Sequence, residues 1–207
     1  MLLFVGLGNP GSGHSKNRHN IGFMAVDLIS HRHNFSGEKS KFQGIIQNGV
    51  FGDKKVLILK PQTFMNKSGQ SVSEAMHFYK LTPEDVVVFY DELDIPLGKI
   101  KVKDGGGAAG HNGIRSIIQH IGANFRRVRM GIGHPGHKEK VVGYVLSDFS
   151  KADFELLNPL LDAVASEAGS LGKNDASLFM TGVAHRINPN PINDRPKNIN
   201  TKDKNKD

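Results

Sequence analysis

The chain has 207 residues, of which 38% are hydrophobic and 23% are charged, an ordinary composition for one globular domain with a sizeable core. No apolar run approaches the roughly 18 residues that a membrane helix needs, and the first one lacks the basic start of a signal peptide. The absence of cysteine excludes disulfides, a thiolate nucleophile and cysteine-ligated zinc, and it favours a cytoplasmic protein.

The net charge of +7 is concentrated in one segment. Residues 99–140 contain nine lysines and arginines against two acids, Asp104 and Glu139, whereas the rest of the chain is balanced. A one-sided basic excess is typical of a protein that binds a polyanion such as nucleic acid. A solvated basic surface explains the same composition, so charge alone leaves both interpretations open.

Strand and helix patterns alternate from the N-terminus. An apolar run predicts a buried strand at residues 2–7, and apolar residues at helical spacing predict a helix at residues 20–31. Two runs on either side of Gly52-Asp53 predict a hairpin of strands at residues 43–50 and 55–60.

The middle of the chain continues this alternation. It predicts a helix at residues 68–79, a buried strand at 86–90, an edge strand at 99–103, a helix after Asn112 and a strand at 127–133. Strands alternating with helices, together with one hairpin, predict an α/β domain with a mixed sheet.

The C-terminal third is predicted to be helical and then disordered. Ser150 and Asp153 have the spacing of a capping box, which predicts a long helical region, and a last helix is predicted at residues 175–186. We therefore expect one domain over residues 1–186. Residues 187–207 contain too few apolar side chains to pack, and they are expected to form a disordered tail.

The glycine-rich sequence GLGNPG at residues 6–11 follows a strand and matches the dinucleotide-binding pattern G-x-G-x-x-G. A dinucleotide site requires the third glycine to enter a helix directly, and an acid about 20 residues later at the end of a second strand. Residues 12–16 have no helical character, and Asp27, the only acid near that distance, lies within the predicted first helix. An NAD-binding oxidoreductase is therefore disfavoured, and the glycines predict a sharp turn that exposes Asn9.

Polar residues are predicted where strands end. Asn9, Asn66 and Asp91 all follow predicted strands, and ligands of open α/β sheets bind outside the carboxyl ends of strands. His19 lies just before the first helix, although a single histidine is more often structural than catalytic. The placement makes these residues candidates for one site.

A second glycine-rich segment covers residues 105–113. It could be a plain connection to a helix with Asn112 as the N-cap, or a mobile lid beside a ligand. The Gly-Lys-Ser/Thr ending of a phosphate-binding P-loop is absent. No metal site is expected, because the remaining histidines lack acidic or cysteine partners at ligand spacing: His31, His33, His134 and His137.

Six blocks of the sequence resemble bacterial-type peptidyl-tRNA hydrolase, and they occur in that family's order. They are residues 6–11, 18–20, 60–69, 91–94, 110–113 and 129–135. The resemblance implies a single three-layer α/β/α domain with a mixed, mostly parallel sheet, acting as a monomer without metal or cofactor. It also implies hydrolysis of the ester bond that links a peptide to the 3′ end of tRNA.

The resemblance further implies a role for each matching residue of the site. His19 matches the general base that activates water, and Asp91 matches its partner, which orients the ring. Asn9, Asn66 and Asn112 match amide residues that bind the peptide backbone and the reacting carbonyl. An amide both donates and accepts hydrogen bonds, so it can bind any peptide without reading side chains. Which asparagine stabilises the oxyanion is left open.

Lys103 and Arg129 match positions that clamp the 5′ phosphate of the tRNA, and both lie in the basic segment. The chain departs from the family at three places. His14 stands where tyrosine is usual and is expected to contact the 3′ end of the tRNA in its place. Asn17 replaces a threonine, and Ala109 replaces a glycine. The last change should stiffen the loop, because alanine disfavours a positive φ.

An RNA-binding relative without catalytic activity is the main alternative function. It would keep the basic segment and could lose the histidine–aspartate pair. The presence of His19, Asp91 and all three asparagines favours the enzyme.

Overall fold

A computed structural model describes residues 1–172 and 175–189 of the chain. It contains seven strands: β1 (Leu2–Gly6), β2 (Lys39–Lys41), β3 (Gly44–Phe51), β4 (Lys54–Pro61), β5 (Val86–Glu92), β6 (Ile100–Asp104) and β7 (Arg126–Gly131). The helices are α1 (Ile21–Arg32), α2 (Ser68–Phe78), α3 (Asn112–Ile121), α4 (Val141–Val145), α5 (Lys151–Gly172) and α6 (Ala176–Ile187).

The strands form one mixed sheet in the order β2-β3-β4-β1-β5-β7-β6. Strands β4, β1, β5 and β7 pair in parallel, whereas β3 and β6 pair antiparallel with their neighbours. Within the described residues, five strands therefore run in one direction and two in the other, so the predicted mixed sheet is confirmed. Strand β6 lies at the edge, as its alternating pattern predicted.

Helices cover both faces of the sheet. Strand β1 is buried on both sides: Leu2 and Phe4 pack with α1, α5 and α6, whereas Leu3 and Val5 pack with α2 and α3. Successive strand residues point to opposite faces, so a wholly apolar strand can contribute to two cores. The predicted three-layer α/β/α arrangement is confirmed.

The structure differs from the predicted elements in four places. Asp91 lies within β5 rather than after it, and β7 ends at Gly131 rather than at residue 133. Helix α4 and strand β2 were not predicted. Both are short and none of their residues is buried: β2 has no apolar residue, and the five residues of α4 are too few for a helical period to be recognised.

The predicted capping box at the start of α5 is present. The backbone N–H of Ser150 donates to Asp153 Oδ2 at 2.8 Å, and that of Asp153 donates to Ser150 Oγ at 3.1 Å. Ile187 belongs to α6 and packs against the core, which places it in the folded unit rather than in the tail. The rest of the predicted tail, from residue 190 onward, lies outside the described residues. No helix among the described residues is both long and apolar enough to cross a membrane.

Candidate active site

The glycine turn after β1 brings the first site residue to the carboxyl edge of the sheet. A Cβ on Gly8 would lie 2.7 Å from the Phe23 ring, and one on Gly22 would lie 2.2 Å from the Phe89 carbonyl oxygen. These glycines thus allow the turn after β1, and strand β5 beside it, to pack closely on α1. Two short 3-10 turns, Ser12–His14 and Arg18–Asn20, separate this turn from the helix. A dinucleotide site, in which the glycine turn runs directly into the helix, does not fit this arrangement.

Asn20 fixes the backbone of Asn9. Its side-chain Oδ1 accepts from the Asn9 N–H at 3.0 Å, and its Nδ2 donates to the Asn9 carbonyl at 2.9 Å. Asn20 is buried, so this pair of bonds is shielded from water. No pattern in the sequence predicts this role of Asn20, although Asn20 lies in the motif that contains His19.

His19 and Asp91 form a hydrogen-bonded pair although 72 residues separate them. The His19 Nδ1 lies 2.8 Å from Asp91 Oδ1, and Asp91 is almost fully buried. A carboxylate accepts at this position, so Nδ1 carries the hydrogen and Nε2 of the neutral ring is left as a proton acceptor. This is the arrangement that a histidine general base requires.

His111 makes a second contact with the same carboxylate oxygen. Its Nε2 lies 3.0 Å from Asp91 Oδ1, and its Nδ1 accepts from the N–H groups of Gly113 and Ile114 at 3.1 and 3.2 Å. His111 is therefore the N-cap of α3. The interpretation of Asn112 as the N-cap is wrong, because Asn112 is the first helical residue and its Oδ1 accepts from Arg115 instead.

The buried carboxylate of Asp91 is stabilised in its charged form. Burial by itself raises the pKa of Asp91, but the charges and hydrogen bonds of His111 and His19 outweigh that effect and hold the pKa below its ordinary value. Asp91 is thus a carboxylate at neutral pH, and it can stabilise a positive charge that develops on His19.

The ligand-type atoms of His19, Asp91 and His111 lie within 4.8 Å of one another, a spacing that could hold a metal ion. The hydrogen bonds argue against this. A neutral histidine that binds a metal through Nε2 carries its hydrogen on Nδ1, and at His111 that hydrogen would face two N–H donors. The cluster fits a network of shared hydrogens better than a metal centre.

A cavity of about 640 Å³ opens beside this cluster. The five residues predicted to meet here all line it: Asn9, His19, Asn66, Asp91 and Asn112. One wall is apolar and consists of residues in and just after α4, namely Val141, Val142, Val145 and Leu146. This apolar wall was not predicted, because α4 itself was not.

His14 does not line this cavity. It is exposed in the turn Ser12–His14, and its Nδ1 lies 2.9 Å from the Asn17 Oδ1. Asn17 in turn donates through Nδ2 to Asp148 Oδ1 at 2.7 Å. The two departures from the family pattern, at positions 14 and 17, are therefore joined in one hydrogen-bonded chain.

The basic segment folds into strands β6 and β7, but much of its charge is engaged within the protein. Arg129 Nε donates to Glu92 Oε2 at 2.9 Å, and Glu92 itself lines the cavity. Arg127 is buried and donates to the carbonyl oxygens of Gly106 and Gly107, and Arg126 pairs with Asp104. Lys103 is exposed on β6. The number of lysines and arginines in this segment is therefore larger than the positive charge that its surface can offer to a binding partner.

The fold and the site together define an α/β protein with a histidine–aspartate site of the hydrolytic type. A proton acceptor held by a buried carboxylate lies beside amide side chains that can bind a carbonyl group.

Comparisons with known proteins place this site in a family. The family model described as peptidyl-tRNA hydrolase matches residues 3–191. The peptidyl-tRNA hydrolase of Parvibaculum lavamentivorans is 57% identical over 192 residues, covering 92% of this chain and 94% of the relative. That of Dinoroseobacter shibae is 56% identical, covering 95% of this chain and 86% of the relative.

A solved structure shows the same fold. The crystal structure of peptidyl-tRNA hydrolase from Acinetobacter baumannii has a TM-score of 0.84 at 40% sequence identity, covering 88% of this chain and 94% of that one. The chain belongs to the peptidyl-tRNA hydrolase family, and it is a hydrolase.

Proposed function

We propose that this chain hydrolyses the ester bond between a peptide and the 3′ end of tRNA, through water activated by His19. The observation that carries the proposal is the 2.8 Å contact between His19 Nδ1 and the buried carboxylate of Asp91, in the lining of a cavity that three asparagines also line. Membership of the family supports peptidyl-tRNA as the substrate. The hydrogen bond between His19 and Asp91 supports their roles as general base and orienting partner.

The reaction follows from the protonation states of the pair. His19 Nε2 takes a proton from water as the water oxygen attacks the ester carbonyl carbon, and Asp91 stabilises the resulting imidazolium. The bond from the carbonyl carbon to the ribose oxygen then breaks, and that oxygen takes the proton from His19. The products are a peptide with a free carboxyl group, which then loses its proton to solvent, and a tRNA with a free 3′-terminal hydroxyl.

The three asparagines bind the peptide and the reacting carbonyl in this proposal. Arg115 donates to Asn112 Oδ1 at 3.0 Å, which leaves the Asn112 Nδ2 hydrogens available to a ligand. A donor held at the developing oxyanion lowers the activation free energy by on the order of 3 kcal/mol. We assign this role to Asn112, and binding of the peptide backbone to Asn9 and Asn66.

Lys103 and Arg129 bind phosphate of the tRNA in this proposal. Phosphate contacts position a nucleic acid without reading its sequence, which suits an enzyme that accepts many tRNAs. Arg129 is adjacent to the cavity through its ion pair with Glu92, and the exposed Lys103, on the same strand pair, has no ion-pair partner among the described residues. His14 contacts the 3′ end of the tRNA with the ring edge that its bond to Asn17 leaves free.

In this proposal the protein is cytoplasmic and acts as a monomer without metal or cofactor, and its domain extends through Ile187. The two backbone N–H groups that donate to His111 Nδ1 support the absence of a metal from this proposal. Purified protein treated with a chelator should keep its full activity, and size-exclusion chromatography with light scattering should give the mass of one chain.

Incubation with peptidyl-tRNA tests the proposed function. Wild-type protein should release peptide with a free carboxyl terminus and tRNA that can be charged again. A protein that retains peptidyl-tRNA on a filter without releasing peptide would be an RNA-binding relative, and the proposed function would be wrong.

A further inference from the structure

We infer that Arg18 is a positioning residue, which fixes the turn that carries His19 against the segment that forms the apolar wall of the cavity. The inference rests on the proposed function, because it takes His19 as the general base. Arg18 precedes His19 in the turn Arg18–Asn20, but its side chain contacts residues 144–153 rather than the histidine–aspartate pair.

The guanidinium group of Arg18 joins three acceptors in that segment. It donates to Ser147 Oγ at 3.0 Å, to the backbone carbonyl of Asp148, and to Asp153 Oδ2 at 2.6 Å. The Arg18 side chain is only 11% exposed, and its bond to Asp153 is partly buried. A planar guanidinium with several fixed donors can hold this set of acceptors, whereas a lysine ammonium reaches only part of it.

Two aromatic rings pack against the same guanidinium. Its central carbon lies 4.6 Å from the ring centroid of Tyr144 and 5.1 Å from that of Phe149. Tyr144 belongs to α4, and its hydroxyl donates to the carbonyl of Ile132 just after β7 at 2.5 Å. Arg18 therefore connects the turn that carries His19 to the helix that supplies most of the apolar wall.

Backbone bonds on either side of Arg18 strengthen this connection. The Arg18 N–H donates to the Ser147 carbonyl at 3.0 Å, and the Phe149 N–H donates to the Lys16 carbonyl at 2.9 Å. Asn17 and Asp148 form a bridge between them. The backbone next to His19 cannot shift relative to the apolar wall without breaking this set of contacts.

Placement of the general base relative to bound substrate decides the rate of the chemical step. A misplacement of about 1 Å can lower a rate by about a hundredfold. Loss of the Arg18 contacts should thus lower kcat and leave tRNA binding on the β6–β7 surface intact. A contribution to stability alone would change neither kcat nor KM at a temperature where the protein remains folded.

Arg32 offers a matched control. Like Arg18 it joins the α1 region to α5: it donates to Ser166 Oγ at 2.5 Å and pairs with Asp162. It lies at the other end of α1 and does not line the cavity. Arg32→Lys should therefore perturb a similar type of contact without affecting His19.

The test measures kcat and KM for peptidyl-tRNA with Arg18→Lys, Arg32→Lys and wild-type protein, well below each melting temperature. Arg18→Lys should lower kcat about tenfold, with KM within about twofold of wild type, and Arg32→Lys should leave both unchanged. If Arg18→Lys does not fold, Ser147→Ala removes one exposed acceptor and should still lower kcat about twofold.

Three results would overturn the inference. They are an unchanged kcat in the folded variants, an increase in KM at constant kcat, which would make Arg18 a substrate contact, and an equal loss of kcat in Arg32→Lys. His19→Ala separates this inference from the proposed function. Loss of turnover in His19→Ala with normal turnover in Arg18→Lys would remove only the role of Arg18.

Discussion

His111 donates through Nε2 to the same oxygen of Asp91 that binds His19, at 3.0 Å, while its other ring nitrogen caps helix α3. One side chain thus connects the start of a helix to the carboxylate that supports the proposed general base. The two functions of His111 can be separated by mutation.

His111→Asn should preserve the cap and lose the contact with Asp91, because asparagine is a good N-cap residue but its side chain is shorter than histidine. His111→Ala should lose both and cost about 1 kcal/mol more in the free energy of unfolding. Both variants should lower kcat several-fold. Urea unfolding and kcat of the two variants check this, and wild-type kcat in His111→Asn would show that the contact with Asp91 has no effect on turnover.

Asp91→Asn should lower kcat about tenfold, because the ring of His19 loses the negative charge that stabilises its protonated form. It should also change how stability depends on pH. The pKa of Asp91 is depressed in the folded state, so its contribution is complete above the unfolded value of about 4 and is lost as pH falls toward the folded value. Melting temperatures between about pH 5 and pH 2.5 should therefore fall less steeply in Asp91→Asn than in wild type. If the melting temperatures of Asp91→Asn and wild type fell equally steeply with pH, Asp91 would not be the stabilised carboxylate.

Ala109→Gly should stabilise the protein. Ala109 adopts a φ of +46° at the wall of the cavity, a conformation that costs an alanine about 1 kcal/mol relative to glycine. A gain of this size corresponds to about 2–4 °C in melting temperature. Ala108→Gly is the control: its φ is not positive and it packs against the core, so it should lower the melting temperature. A lower melting temperature in both variants would contradict the predicted strain at Ala109.

Lys103→Ala should weaken binding of all tRNAs to a similar degree and make it less dependent on salt. One lost phosphate contact lowers the slope of log affinity against log salt concentration by about one. Arg129→Ala should have a smaller effect on the slope, because Glu92 already offsets the charge of Arg129. Lys55, exposed on β4 near the β3–β4 turn and separated from the β6–β7 pair by β1 and β5, provides the control. A slope that Lys103→Ala leaves unchanged would place the tRNA elsewhere.

The sequence predicted the periodic elements within a few residues, and it predicted that Asn9, Asn66 and Asp91 would lie together near the carboxyl ends of strands. The apolar run before Gly6 predicts a strand because it is short and ends in a glycine turn, and the isoleucines of α3 predict a helix because they recur at helical spacing. Asn9, Asn66 and Asp91 could be grouped because strands of one direction end at one edge of a sheet.

Other features could not be predicted because they depend on distant packing. His111 caps α3 only because the helix starts at Asn112, and it reaches Asp91 only because β5 extends to Glu92. Arg127 belongs to the basic segment but is buried, which no count of charges can reveal. The role of Arg18 depends on residues more than 120 positions away, and its only signal in the sequence was its place beside His19.

The proposed mechanism is tested most directly by two measurements on His19→Ala. They are its rate of peptidyl-tRNA hydrolysis in single-turnover experiments with saturating enzyme, and its affinity for peptidyl-tRNA. The variant should bind the substrate nearly as tightly as wild type, since His19 contacts no phosphate in the proposed complex. Hydrolysis should fall by about a hundredfold or more, the contribution of a general base. Hydrolysis at a rate close to that of wild type would contradict the role of His19, and with it the proposed mechanism.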